Sequence, residues 1–305
     1  MFSRYARSIR HIGALVKLSV IDHRPSLYYV GGWLGKNNLG DEALFRSYQS
    51  LFPEFGFFQY DGGRLSSNIA RRFHDFKAGI LAGGTLIGQK KSWLNIANSF
   101  LEICPKLIIF GTGVEEPSIW PGEATINDWI PLLECCDFVG VRGPQSADLL
   151  MSYGIKQVDI VGDPVLTNAA DHINSEPIPN SVGLNIGTAD NRLWGSEEGV
   201  CEEMARLARI AKQAGWIVKW FVVWPKDYAI TYKAASISGT ESNIFLIYRD
   251  YKEFLARVRS LSAFVGMKLH ATVLATCALT PSIMLEYQPK CRDYMKSIDR
   301  EEATF

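Results

Sequence analysis

Short apolar runs that break off at glycine recur along the chain, and stretches of helical period lie between them. Ser26-Leu27-Tyr28-Tyr29-Val30 reads as a first strand. Phe57 to Tyr60, Ala78 to Ala82, Leu107 to Phe110, Asp137 to Val141 and Val158 to Val161 continue the series, followed later by Val182 to Ile186, Trp216 to Val223 and Ile244 to Ile247. Helices are predicted over Ala43 to Leu51, Gln145 to Tyr153 with Gly154 as its stop, Glu197 to Ala214 ended by Gly215, and Tyr251 to Arg259. At the start, Phe2, Tyr5, Ile9, Ile12, Val16 and Val20 recur at spacings of three and four, while Arg4, Arg7, Arg10 and Lys17 fall mainly on other faces. Two readings of this helix stand side by side. It docks on its own domain, or its basic amphipathic face lies in a membrane interface over residues 2–20.

The most informative stretch runs from Ser262 to Lys290. Ala263 to Met267 is a buried-strand pattern, and His270 to Leu279 is a helix apolar nearly all round. Thr280-Pro281 stops that helix, and Ser282 to Tyr287 is a second strand. This is a strand–helix–strand unit of a parallel sheet. Lys268 and His270 then sit where the first strand passes into the helix, and Lys290 sits just beyond the second strand. Ligands of such sheets bind outside the carboxyl ends of the strands, where helix N-termini attract anions. Two cations and an imidazole at that edge point to an anionic small molecule, with His270 placed for proton transfer.

Alternation of strands and helices in both halves predicts an α/β fold, with two doubly wound, Rossmann-like domains facing a cleft. The polar, proline-bearing stretch 169–181 reads as the linker, which gives an N-terminal helix at 1–25, domains at 26–168 and 182–290, and a tail at 291–305 packing back. A length of 305 residues is enough for two such cores. A formal net charge of zero argues against a nucleic-acid surface. The six cysteines show no zinc-ligand spacing and read as reduced core thiols, which suits a cytoplasmic protein. No run has the length of a membrane span, and no signal peptide is evident. No metal site is predicted.

The loops supply the remaining candidates. Gly31 to Glu42 is glycine-rich and leads into a helix, but it lacks the Gly-Lys-Ser/Thr spacing of a Walker loop. Within it Asp41 could accept a proton or a sugar hydroxyl. On these residues alone, a tight turn with an acidic helix start explains the pattern better. Gly83-Gly84-Thr85 and Gly111-Thr112-Gly113 follow apolar strands without forming a dinucleotide fingerprint. Arg142 sits at a strand exit, suited either to a two-pronged anion contact or to a local ion pair. Asn185 and Arg192 are loop candidates for substrate contact.

Taken in order, Asn38-Leu39-Gly40-Asp41-Glu42-Ala43, Ala82-Gly83-Gly84-Thr85-Leu86, Gly111-Thr112-Gly113, Val141-Arg142-Gly143-Pro144-Gln145-Ser146, Gly162-Asp163-Pro164, Gly266-Met267-Lys268-Leu269-His270 and Tyr287-Gln288-Pro289-Lys290 form a set that resembles the polysaccharide pyruvyl transferases over roughly residues 26 to 296. The resemblance implies a GT-B-like fold. It also implies transfer of pyruvate from phosphoenolpyruvate, the donor substrate, to a hydroxyl pair of a cell-surface polysaccharide or its polyprenyl-linked precursor as a ketal, with no cofactor. Such an enzyme would work in the cytoplasm, or peripherally on the inner face of the membrane. His270, Lys290 and Arg142 fall on the family's important positions. His270 is then expected as general acid, since an unperturbed imidazole titrates near ~6.5. Arg142, Lys268 and Lys290 are expected on the phosphate and carboxylate, and Asp41 as the base. Asn38, Gly40, Gly84 and Thr85 are further substrate-binding candidates from the matching loops. Lys268 stands where the family usually has Arg, which keeps the charge and loses the fork, and Gly143-Pro144 replaces its usual acid. Two alternatives share the architecture: a GT-B glycosyltransferase using a nucleotide sugar, and a non-catalytic assembly component of polysaccharide synthesis.

Overall fold

A computed structural model describes residues 24–59, 76–119, 123–170, 176–190 and 192–305. The predicted N-terminal helix and Tyr60 lie outside these. The described chain falls into two compact units. The first holds the residues up to Gly32, Tyr48–Pro117 and Pro121–Val161, and the second holds Trp33–Ser47, Ser118–Trp120 and Gly162–Phe305. Thus the second unit already begins at Gly162, ahead of the polar stretch 169–181, and it also takes in residues 33–47.

The first unit is a parallel sheet built from β1 (Ser26–Val30), β2 (Gly56–Gln59), β3 (Phe76–Ala82), β4 (Thr85–Ile87), β5 (Leu107–Val114), β6 (Phe138–Val141) and β7 (Asp159–Ile160). Their order is β2-β1-β3-β5-β6-β7, with β4 beside β5. Strands buried on both faces need continuous apolar runs, and β1 and most of β3 are buried accordingly. Tyr28, Phe76 and Phe100 stack at the centre, with ring centroids 4.6 and 5.2 Å from Tyr28. Helices α2 (Lys91–Ile103), α3 (Ile126–Glu134) and α4 (Pro144–Ser152) join these strands, and helix α1 (Leu39–Leu51) precedes β2. Thr85, expected in a loop, opens strand β4.

The second unit is a five-stranded parallel sheet of β8 (Ile178–Asn185), β9 (Ile217–Val222), β10 (Ile244–Leu246), β11 (Leu261–Gly266) and β12 (Ser282–Met284), ordered β10-β9-β8-β11-β12. Helices α5 (Glu197–Gln213), α6 (Tyr228–Ser238), α7 (Tyr251–Arg259), α8 (Leu269–Cys277) and α9 (Pro289–Ser297) connect it. Helix α8 is buried on nearly every side, as its apolar circumference requires. After α9 the chain returns to β12: Phe305 donates its amide to Met284, and Glu286 donates its own to Phe305. β12 is shorter than the predicted strand 282–287, since it ends at Met284. In this order β8 and β11 are neighbours from which the chain winds off in opposite directions. That is a topological switch point, where open parallel sheets place their ligands.

Candidate active site

At the switch point of the second unit, Asn185 ends β8 and Lys268 follows β11. Asn185 is fully buried. Its amide donates to the Phe221 carbonyl at 2.9 Å, and its carbonyl oxygen accepts the Lys268 amide at 3.0 Å. The expected substrate contact is therefore a tie between three strand ends. Lys268 is the N-cap residue of α8. Its ammonium donates to the Thr188 carbonyl at 2.9 Å, lies 3.6 Å from Asp227 Oδ1 and stands over the Trp224 ring. Asp227 is fully buried and also accepts the Thr188 amide at 2.9 Å. Burial pushes its carboxyl up, while the Lys268 charge pulls it back down.

His270 lies in the first turn of α8, and three neighbours define its place. Its Nε2 is 3.5 Å from Asp163 Oδ2. Asp163 is buried, and its other oxygen accepts the Val165 amide at 3.0 Å, so the carboxylate is held by the turn it caps. On the opposite ring edge a Cβ at residue 40 would stand 2.2 Å from Nδ1. Only glycine fits there, and the Asn38 side chain accepts the Gly40 amide at 3.1 Å. The next residue is Asp41, at the start of α1. Burial raises its carboxyl from 3.8 to about 6, opposed by the fields of His270 and Lys290 and by a hydrogen bond from the Trp33 amide. Lys290 sits in the first turn of α9 with its ammonium 4.9 Å from the Tyr287 ring centroid. His270, Asp41, Asp163 and Lys290 thus gather at the starts of three helices, α1, α8 and α9. Arg192 is exposed on a loop, and its carbonyl accepts from the Gln288 side-chain amide.

The first unit carries Arg142, which leaves β6 fully buried. Its guanidinium donates to the Gly84 carbonyl at 3.2 Å and to the Thr85 hydroxyl at 3.3 Å. It packs so closely on Gly113 that a Cβ there would approach its Nη2 to 2.5 Å. The arrangement binds the loop after β3 to the ends of β5 and β6. Arg142, Gly84 and Thr85 therefore do come together, but as a brace among themselves.

Sequence reasoning gave Asp163 and Asp227 no role. Asp163 was visible in Gly162-Asp163-Pro164, where its spacing signals only a turn; its second partner lies 107 residues on. A concavity of about 360 Å³ in the first unit, lined by Cys136, Asp137, Lys156 and Asp159, lies at the amino-terminal ends of β6 and β7, the edge opposite to the one such sheets use. Among the described residues no group of three or more His, Cys, Asp or Glu could hold a metal ion. All six cysteines are free, and no described helix is long and apolar enough to cross a membrane.

Solved structures share this fold at low identity. An uncharacterized protein from Klebsiella pneumoniae matches with a TM-score of 0.53 and 14% identity over 96% of each chain. MnaA of S. aureus, solved with UDP, matches with 0.55 and 12% over 88% of this chain and 80% of its own. A UDP-GlcNAc 2-epimerase from Methanocaldococcus jannaschii matches with 0.50 and 11% over 86% and 83%. These likenesses establish a GT-B fold. A search of curated proteins finds no match. The family model for polysaccharide pyruvyl transferases matches residues 38–289, from the loop that makes room for His270 to the residue before Lys290, and the chain belongs to that family.

Proposed function

We propose that the protein moves the pyruvyl group of phosphoenolpyruvate onto a pair of saccharide hydroxyls, releasing phosphate and leaving a ketal. The observation that carries this reading is the His270 cluster. An imidazole is held between a buried carboxylate and a glycine, beside a second carboxyl whose pKa near 6 suits a base at neutral pH. His270 gives a proton to the donor methylene, which becomes the methyl group. The carbon bearing the phosphate becomes oxocarbenium-like and takes the first hydroxyl oxygen, whose proton passes to Asp41. The bond to phosphate breaks, the second hydroxyl adds at the same carbon, and its proton leaves with the phosphate.

Asp163, 3.5 Å from Nε2, and the close-packed Gly40 hold the imidazole in its orientation. Lys290 and the first-turn N–H groups of α8 meet the donor's anionic groups. Lys268 contributes its charge from a fixed position, since its ammonium already serves Thr188 and Asp227. Phosphoenolpyruvate is a cytoplasmic metabolite, which puts the reaction in that compartment. The acceptor is a polysaccharide unit or its polyprenyl-linked precursor.

A nucleotide-sugar reading draws on the UDP-bound relative of the same fold. Thermal shift separates the two. Stabilisation by phosphoenolpyruvate and none by UDP-GlcNAc is expected, and the reverse pattern overturns the proposal.

A further inference from the structure

We infer that the exposed indole of Trp33, backed by Trp224, is a stacking platform for a pyranose ring of the acceptor. The inference rests on the transferase reading for what the ring does once bound, but its test does not.

Large exposed apolar side chains are common and need no explanation singly. Trp33 differs in its surroundings. It is 44% exposed, yet its ring is held against Trp224 with centroids 6.1 Å apart and planes 38° from parallel. Its backbone is fixed at both ends of the peptide: its amide donates to Asp41, and its carbonyl accepts the Lys36 amide at 3.0 Å. The partner ring lies under two ammonium groups, Lys226 at 4.8 Å and Lys268 at 5.2 Å from its centroid. A cation over an indole face is itself stabilising and holds the ring in place. The tryptophan pair therefore joins the proposed base on one side to the donor-side cation on the other. Tyr228 and Tyr232, the exposed aromatic pair on α6, pack on each other at 5.9 Å without such links.

Pyranose rings suit this surface. One face of the sugar carries axial C–H groups that pack on the negative face of an indole, while its hydroxyls project from the rim. A ring stacked on Trp33 keeps those hydroxyls free, on the residue whose own amide donates to Asp41. The platform thus accounts for how a neutral acceptor is held beside an anion-binding cluster that offers it no charge to grip.

Saturation-transfer NMR tests this with methyl glycosides of glucose, galactose, mannose and N-acetylglucosamine as probes, in the absence of phosphoenolpyruvate. Ring-proton saturation of at least one glycoside is expected with the wild-type protein. It should fall to background in Trp33→Ala and persist in Trp33→Phe, with all three proteins melting at similar temperatures. No saturation with the wild type, or an undiminished signal in Trp33→Ala, overturns the platform. Failure of phosphoenolpyruvate to bind or react leaves this result untouched, so the two readings fall separately.

Discussion

Two residues carry most of the chemical argument, and both can be probed singly. Gly40 is required because any side chain would collide with His270. Gly40→Ala should displace the imidazole and lower turnover on the order of 10²-fold, the cost of a misplaced catalytic group, and the overpacking should lower the melting temperature as well. Phosphate release in the presence of acceptor checks it, and turnover at the wild-type rate would remove the close packing from the account. Asp41 makes a pH-dependent prediction. Its carboxyl is raised from 3.8 to about 6, so folding favours the protonated form. That contribution is whole below the ordinary value of 3.8 and is lost as pH rises through about 6. Above it, the buried carboxylate costs on the order of 3 kcal/mol. Asp41→Asn should therefore melt higher than wild type at pH 8, with the difference closing toward pH 4, while transfer activity collapses. A variant that melts lower at pH 8 contradicts the burial argument.

At the scale of elements, the strand ends decide what the loops can do. Asn185 ties β8 to β9 and to the start of α8, and both of its bonds are buried. Asn185→Ala leaves the Phe221 carbonyl and the Lys268 amide unsatisfied and should cost roughly 2–4 kcal/mol in denaturant unfolding. A cost below ~0.5 kcal/mol would mean that water replaces the side chain. Apolar runs ending at glycine were legible as parallel strands because burial on both faces demands them. Helix α6 was not legible: its buried face is Thr231, Ala234, Ala235 and Ser238, which writes no apolar stripe. Helix α2 did carry a signal, with Leu94, Ala97 and Phe100 at spacings of three on its buried face. The positions of His270, Lys268 and Lys290 could be read from the strand–helix–strand pattern alone. The burial of Arg142 and Asn185 could not, because a polar residue at a strand exit suits either a ligand or a neighbouring carbonyl. The Asp163 partnership depends on a turn and a helix start, far apart in the chain, that only the folded protein brings together.

For the molecule as a whole, the family match from 38 to 289 draws on both units, yet the proposed acid His270, the proposed base Asp41 and Lys290 all belong to the second. That unit takes Asp41 from residues 33–47, far from the rest of its chain. The central claim is therefore that the His270 cluster performs pyruvyl transfer. The most direct measurement incubates wild type and His270→Ala, each shown folded by circular dichroism, with phosphoenolpyruvate and glycans extracted from the cells that make the protein. Released phosphate and glycan mass are followed together. Phosphate release matched by glycans heavier by one pyruvate less one water is expected with wild type, and a loss on the order of 10²–10⁴-fold with His270→Ala. Unaltered glycan mass with wild type, or transfer by His270→Ala at the wild-type rate, would contradict the central claim.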